Sequence, residues 1–297
     1  MAESQLSRAL WWALEPYHAV VYFAPDATST YEAIGLKGFW MGYFASRAAP
    51  LGAVQAEVVL ATFFNFHPAM VTRAIPDAWR LATPVQITAT RLDHADRTLR
   101  RLLGDERLKS PELAEAAELA RLAAEAAAPP GRPLFAAYTA LEWPTEPHLV
   151  LWHAATLLRE HRGDGHVATL IHADLSPCQA HLLAIAGGMT TRPVLDLSRR
   201  WSESDWDTAQ KGLQQRGWLD DHGGLTAAGL SARQQIEDDT DRLALQPLLE
   251  LSHTQLSRLL DLARRVALPI LAADGIPFPN PMGLPDRLSG GATSLTL

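Results

Sequence analysis

One segment of this chain, from Trp152 to His166, concentrates side chains that could do chemistry. It contains three histidines, two arginines and two acidic residues within a predicted helix and the break that ends it. Imidazole, whose pKa lies near neutrality, suits proton transfer. Polar groups that cluster at one point are typical of a binding or reactive site. These side chains are His153, Arg159, Glu160, His161, Arg162, Asp164 and His166.

Residues elsewhere in the chain could complete this site. His18 and Tyr22 lie four residues apart and share a helix face, and Asn65 and His67 precede a predicted helix start. Apolar walls with a few converging polar groups are typical of a small-molecule pocket. The aromatic residues expected to form the walls are Tyr17, Phe39, Trp40, Tyr43, Phe64 and Trp152.

We therefore predict acid–base roles for His18, His153 and His166. Ligand contacts are predicted for Tyr22, Trp40, Tyr43, Asn65, His67, Trp152, Arg159, His161, Arg162 and Asp164. The alternative interpretation is structural, because buried histidines commonly bond backbone carbonyls and Arg–Asp pairs commonly tie loops together.

Metal binding has little support in the sequence. His153 and His161 are eight residues apart, unlike the four-residue spacing of a zinc-binding helix, and Cys178 has no second cysteine to pair with. We predict no metal and no cofactor, with a haem held by one histidine as a minor alternative. Cys178 lies in an apolar helix and fits a small core residue. Phosphate-binding glycine motifs and the G-x-S-x-G elbow are both missing from the sequence.

Composition excludes several classes of protein. The 297 residues are 47% hydrophobic and 20% charged, so the chain can bury a sizeable core. A net charge of -7 disfavours a broad nucleic-acid surface. A single cysteine cannot form an internal disulfide, which favours a reducing cytoplasm. No signal peptide is visible in residues 1–15, and no apolar run reaches membrane-spanning length.

The hydrophobic pattern predicts a mainly α-helical, multi-helical fold. Predicted helices include residues 4–14, 17–23, 53–66, 85–103, 111–128 and 147–162. The Gly163-Asp164-Gly165 break is expected to end the last of them. A Pro-Pro-Gly break near residue 130 suggests an N-terminal helical domain over 1–130 and a second domain over 131–275. Residues 276–297, rich in Pro, Gly and Ser, are expected to form an extended or mobile tail.

A faint internal repeat links two of these segments. Trp40 and Arg47 are seven residues apart, as are Trp152 and Arg159, and each pair is followed by an apolar helix and a proline turn. An internal duplication would place a ligand cleft between two similar helical units. The alternative is that the two segments are similar by chance, because many helices share the same types of start and stop residues.

The C-terminal third has the order of a winged helix. A helix capped by Ser202 leads to the sequence RGWL at 216–219, then to a polar tip at 220–224 and a second helix. Over roughly residues 165–245 this order resembles the winged helix of MarR-type regulators, which implies a small β wing. Trp206 or Trp218 would belong either to a homodimer face or to the core.

The charge of this module argues against DNA as a partner. Residues 201–240 contain eight acids and three bases, and the helix that would enter the groove begins with Glu203, Asp205 and Asp207. A groove-reading helix normally presents Arg and Lys to phosphates. We therefore expect the module to serve as scaffold or interface.

The chain as a whole resembles a helix-turn-helix-labelled family of actinobacterial proteins. The resemblance rests on residues 14–22, 35–47, 61–68 and 152–167 and covers most of residues 5–285. It implies the two-part layout and no established activity. Two functions remain: a small-molecule-binding protein, which includes a cofactor-free enzyme with histidine acid–base groups, and a ligand-responsive winged-helix transcriptional regulator.

Overall fold

The computed structural model describes residues 3–284, with side chains from residue 5, and this part of the chain is mainly α-helical. Its helices are α1 (Glu3–Phe23), α2 (Ala27–Glu32), α3 (Gly38–Ala48), α4 (Ala56–Phe63), α5 (Pro68–Thr72), α6 (Ala78–Leu81), α7 (Pro84–Leu108), α8 (Pro111–Ala126), α9 (Pro133–Thr139), α10 (Pro147–His172), α11 (Pro177–Ala186), α12 (Arg192–Arg199), α13 (Glu203–Gln215), α14 (Ala227–Leu243) and α15 (His253–Ala272). Short 3-10 turns at Ala49–Leu51 and Gln246–Glu250 join some of them.

A large core surrounds α10. This helix packs closely against α8, and also against α1, α7, α9 and α14. The alanines Ala116, Ala120 and Ala123 make the α8 face flat and are fully buried, so the two helices can approach closely. The core includes residues on both sides of position 130. The division into domains at that position stays a prediction.

Helices α11–α14 form a smaller helical unit with its own apolar clusters. Ser202 caps α13 in a capping box with Asp205, as the sequence predicts. Cys178 and Trp206 are buried together in this unit. Trp206 donates its indole N–H to Asp196 at 3.0 Å, so it belongs to the core and does not form a dimer face.

The prediction of a β wing was wrong for the described residues. Within residues 3–284 the strand-like pairing is limited to one antiparallel bridge between Leu219 and Leu225. The tip between them is a tight turn in which the Asp220 carboxylate accepts hydrogen bonds from the backbone N–H groups of His222 and Gly224. Because residues 220–224 form this turn, too few residues remain between α13 and α14 for two wing strands.

Two predicted helix breaks do not occur. α1 continues through Pro16, although proline removes a helical hydrogen bond, because residues 13–21 of this helix are buried on all sides. α10 continues through Gly163 and Gly165, neither of which has a positive φ angle. A Cβ atom at Gly165 would lie 2.7 Å from Arg132 Nη1, so glycine here serves close packing.

The continuous α10 weakens the parallel between the two halves of the proposed repeat. α3, which carries Trp40 and Arg47, has 11 residues, whereas α10 has 26. The duplication itself stays a hypothesis.

The segment after α15 packs against the core as far as it is described. Ile276, Asn280 and Leu284 are buried, and Thr190 donates its hydroxyl to the Asn280 carbonyl at 3.1 Å. This differs from the extended or mobile tail expected from residue 276. The remainder of that predicted tail, residues 285–297, lies outside the described residues. No helix in the described chain is long and apolar enough to cross a membrane.

Candidate functional site

Residues of both the large core and the smaller helical unit line a cavity of about 590 Å³. The core contributes α1, α3, α4 and α10 to the lining, and the smaller unit contributes α11, α12 and α14. Pro279, Pro281, Met282 and Gly283 contribute a further wall. The cavity is thus built from residues that are far apart in the sequence.

Aromatic side chains form one wall. Phe39, Trp40 and Tyr43 lie along one face of α3, because residues three and four apart align on a helix. The ring centroids of Tyr43 and Tyr22 are 5.1 Å apart, and those of Tyr43 and Phe66 are 5.5 Å apart. These distances are typical of favourable aromatic contacts, so the wall is a continuous apolar surface.

A buried ion-pair network also contributes to the cavity lining. The Arg47 guanidinium donates two hydrogen bonds to Glu160, with Nε–Oε1 at 3.0 Å and Nη2–Oε2 at 2.9 Å. Arg159 donates to the same carboxylate at 2.7 Å and lies 3.7 Å from Glu15. Burial alone would raise the pKa of Glu160, but Arg159 and Arg47 hold that pKa well below its usual range. Burial raises the pKa of Glu15 despite Arg159.

Arg199 is different, because it has no carboxylate partner among the described residues. It ends α12, and its guanidinium lies 4.3 Å from the Phe66 ring centroid. Nη1 donates to the Ser198 carbonyl at 3.0 Å, and the buried Nε has no hydrogen-bond partner. Burial, together with the charges of Arg47 and Arg159, lowers the pKa of Arg199 to about 10.

The loop between α4 and α5 holds Arg199 in place. The backbone N–H of His67 donates to the Arg199 carbonyl at 3.3 Å. The Asn65 carbonyl accepts hydrogen bonds from His181 at 2.9 Å and from Trp201 at 3.3 Å. The Asn65 side-chain Oδ1 is buried and has no partner. Asn65 and Arg199, which both line the cavity, thus each have a buried side-chain atom without a hydrogen-bond partner, as Arg162 has at Nη1.

Eight of the thirteen predicted site residues line this cavity. They are Tyr22, Trp40, Tyr43, Asn65, Arg159, Arg162, Asp164 and His166. The other five, His18, His67, Trp152, His153 and His161, are not among its lining residues. The structure therefore does not bring the predicted imidazoles together.

His18 lies behind the aromatic wall. The Thr156 hydroxyl donates to the Trp152 carbonyl at 2.9 Å, so it accepts from His18 Nδ1 at 3.0 Å. Nε2 of this tautomer is an acceptor and lies 3.5 Å from the Tyr22 hydroxyl. Burial, assisted by the charges of Arg159 and Arg91, holds the pKa of His18 well below its ordinary value. The ring is a neutral structural acceptor.

Three other histidines have structural partners. His67 caps α5 by accepting the Ala69 backbone N–H at 3.2 Å. His153 packs edge-on against Trp143 with 4.6 Å between ring centroids, and burial lowers its pKa to about 4. Burial lowers the pKa of His161 to about 3, and its ring packs against Phe135. Trp152, the fifth such residue, donates its indole N–H to the His18 carbonyl at 3.1 Å.

His166 is the one predicted acid–base residue that lines the cavity. The Thr240 hydroxyl donates to the Ile236 carbonyl at 2.7 Å and so accepts from His166 Nδ1 at 2.9 Å. Burial lowers the pKa of His166.

Arg162 and Asp164 complete this end of the cavity. Arg162 pairs with Asp241 at 2.7 Å. Asp164 accepts the backbone N–H groups of Leu134 and Phe135 at the start of α9, and burial raises its pKa to about 6.

Sequence reasoning missed several charged residues of the site. Glu15, Arg47, Glu160 and Arg199 line the cavity but were not predicted to bind a ligand. Arg47 and Glu160 are 113 residues apart, so no local spacing reveals their pairing. Among the described residues, no three His, Cys, Asp or Glu side chains come together in a group that could hold a metal ion.

A family model described as a helix-turn-helix family matches residues 7–277, so the chain belongs to that family. No curated protein and no solved structure matches the chain significantly.

Proposed function

We propose that this chain is a small-molecule-binding protein whose ligand occupies the cavity between the large core and the α11–α14 unit. The observation that carries the proposal is the cavity itself. Its volume of about 590 Å³ lies within the range of roughly 300–1,000 Å³ typical of ligand pockets. Its aromatic wall, combined with several polar and charged groups in the lining, supplies the composition that such pockets need.

Binding is better supported than catalysis. The imidazoles of His18, His153 and His161 have depressed pKa values and lie outside the cavity lining. Glu160 is engaged by two arginines. A cofactor-free enzyme would have to use His166 and Asp164, which line the cavity, for its acid–base steps.

The smaller helical unit, α11–α14, is proposed to serve as a wall of the pocket. The exposed residues of α13 include Glu203 and Asp207, which would meet DNA phosphates with a Coulombic cost. Arg216 at the end of α13 donates to the backbone carbonyls of Ala173 and Asp174 and is thereby held on the protein. In this proposal, α11–α14 resemble a MarR-type winged helix only in the order of their helices.

A regulator is the second candidate, and one observation favours it. Arg199 lines the cavity at the end of α12, and α13 begins at Glu203. A ligand beside Arg199 would therefore lie close to α13, the helix that would enter the DNA groove in a regulator. A gel shift with random and genomic duplex DNA at low salt separates the candidates. The scaffold role predicts no shift, and nanomolar sequence-specific binding would establish the regulator instead.

The pocket is tested by filling it. Ala184 lines the cavity on α11, whereas Ala61 is exposed on α4 and outside it. A thermal-shift screen of drug-sized aromatic compounds should give hits that stabilise the wild type and Ala61→Trp. A ligand at a hundred times its Kd adds about 2.7 kcal/mol of stability. Ala184→Trp should lose these shifts while folding, and unchanged shifts in that variant would refute the cavity as the binding site.

A further inference from the structure

We infer that the cavity takes an organic monoanion, an aromatic or apolar body carrying one carboxylate, and that Arg199 binds the carboxylate. The inference deepens the proposed function and rests on it. The charged groups near the aromatic wall of the cavity support it.

Three guanidinium groups approach one another there, those of Arg47, Arg159 and Arg199. Glu160 pairs with the first two, and Glu15 lies near Arg159. Arg199 has no acidic partner within the described chain. Burying an unpaired charge is costly, so a negative charge placed in the cavity would gain the interaction that the protein itself leaves unmade.

The free edge of Arg199 has the geometry that a carboxylate needs. Nη1 donates to the Ser198 carbonyl, and the guanidinium carbon lies over the Phe66 ring, 4.3 Å from its centroid. Nε and Nη2 share the other edge, and no described acceptor hydrogen-bonds to Nε. Two parallel N–H groups on one edge match the two oxygens of a carboxylate.

The surroundings define the rest of the ligand. The ring centroids of Tyr43 and Trp40 lie 5.5 Å and 6.1 Å from that of Phe66, which Arg199 covers. An aromatic body attached to the carboxylate would therefore meet aromatic faces. The unpaired Oδ1 of Asn65 would accept a hydroxyl or N–H group carried by that body.

Another unpaired arginine provides a contrast. Arg91 also has buried nitrogens without partners, Nε and Nη1. Its guanidinium lies beside the rings of Tyr22 and Trp152, and it does not line the cavity. Arg162 lines the cavity with an unpaired buried Nη1, but it is paired with Asp241. Among the described arginines with an unpaired buried nitrogen, Arg199 is thus the one that lines the cavity without an acidic partner.

The test compares three probes of one shape but different charge: naphthylacetate, its uncharged amide naphthylacetamide, and the cation naphthylmethylammonium. Binding to the full chain is measured by calorimetry at neutral pH for the wild type, Arg199→Met and Arg200→Met. Arg200 is exposed, is absent from the cavity lining and is adjacent in sequence, so it is the matched control. Thermal unfolding of each variant establishes that it is folded.

We expect the wild type and Arg200→Met to bind naphthylacetate about ten- to a hundredfold more tightly than the amide, the range of a charge-assisted hydrogen bond. Arg199→Met should lose that preference while keeping its affinity for the amide. Equal or tighter binding of the amide or the cation by the wild type overturns the monoanion assignment alone. An anion preference that persists in Arg199→Met overturns the role of Arg199. Failure of all three probes to bind overturns the proposed pocket as well.

Discussion

The Arg47 guanidinium and the Glu160 carboxylate form a two-point ion pair, with N–O distances of 3.0 and 2.9 Å, in the interior of the protein. This pair connects α3 to α10 across 113 positions of sequence. Since Arg159 donates to the same carboxylate, one acid is paired with two buried bases. The network and the aromatic wall line the same cavity.

Glu160→Gln should therefore be strongly destabilising. The substitution leaves Arg47 and Arg159 without their shared negative charge, and breaking a buried pair costs about 3–5 kcal/mol. Denaturant unfolding at neutral pH measures the loss. Glu115→Gln breaks a pair of similar two-point geometry with Arg258 on the surface, and its effect should be far smaller. Equal losses in the two variants would contradict the importance of burial.

The two glycines inside α10 should respond oppositely to alanine. Gly163→Ala makes only ordinary contacts, the nearest at 3.6 Å from Glu160, so it should stabilise the protein by about 0.5–1 kcal/mol through helix propensity. Gly165→Ala puts a methyl group 2.7 Å from Arg132 Nη1. Arg132 would have to leave the carbonyls of His161 and Leu243, and each hydrogen bond lost costs about 1 kcal/mol. Stabilisation by both substitutions would disprove the packing role of Gly165.

His153 should contribute to instability in acid. Burial lowers its pKa from 6.5 to about 4, so the unfolded chain binds a proton on this ring at a higher pH than the folded chain does. The contribution of the neutral His153 ring to the free energy of unfolding is complete above pH 6.5 and is lost as the pH falls towards 4. It amounts to about 3 kcal/mol. His153→Phe, which keeps the ring against Trp143, should therefore lose less stability than the wild type between these pH values.

Urea unfolding at the two ends of this pH window measures the effect. His222→Gln alters an exposed imidazole and should follow the wild-type profile. A His153→Phe variant that loses as much stability as the wild type over the same window would show that another group causes the acid sensitivity.

Asp164 should give the opposite pH dependence. Burial raises its pKa from 3.8 to about 6, so the folded chain keeps this proton to a higher pH than the unfolded chain. The favourable contribution of the protonated Asp164 to the free energy of unfolding is complete below pH 3.8 and is lost as the pH rises through about 6. Asp164→Asn still accepts the N–H groups of Leu134 and Phe135 and has no proton to lose.

The stability of Asp164→Asn relative to the wild type should consequently increase with pH, by about 2–3 kcal/mol across that interval. Chemical denaturation in a series of buffers gives this difference directly. A difference that stays constant, or that decreases as the pH rises, would mean that the carboxylate ionises normally in the folded protein.

Much of the helical architecture could be predicted from local sequence. Proline at first helical positions and Ser202 as a cap gave α5, α8, α10 and α13 their correct starts within a few residues. Errors arose where tertiary contacts override local preference. Burial carries α1 through Pro16, and close approach of Arg132 accounts for Gly165 within a helix.

The site was predicted less completely than the fold. Aromatic residues such as Trp40 and Tyr43 were recognised because aromatic side chains are expected to form the apolar walls of a pocket, and both line the cavity. The histidines were overvalued, since imidazole is equally suited to buried structural bonds, as His18 and His67 illustrate. Arg47 and Arg199 were overlooked because their environment depends on residues far away in the sequence.

The wall formed by Pro279, Pro281, Met282 and Gly283 has a consequence for how the protein is made. A nascent chain that has not yet emerged beyond Gly283 holds the aromatic residues and the arginines but not the enclosing surface. The cavity is therefore completed only after this late segment has been synthesised. A ligand of the cavity would stabilise chains that include the segment and give little protection to translation intermediates that lack it.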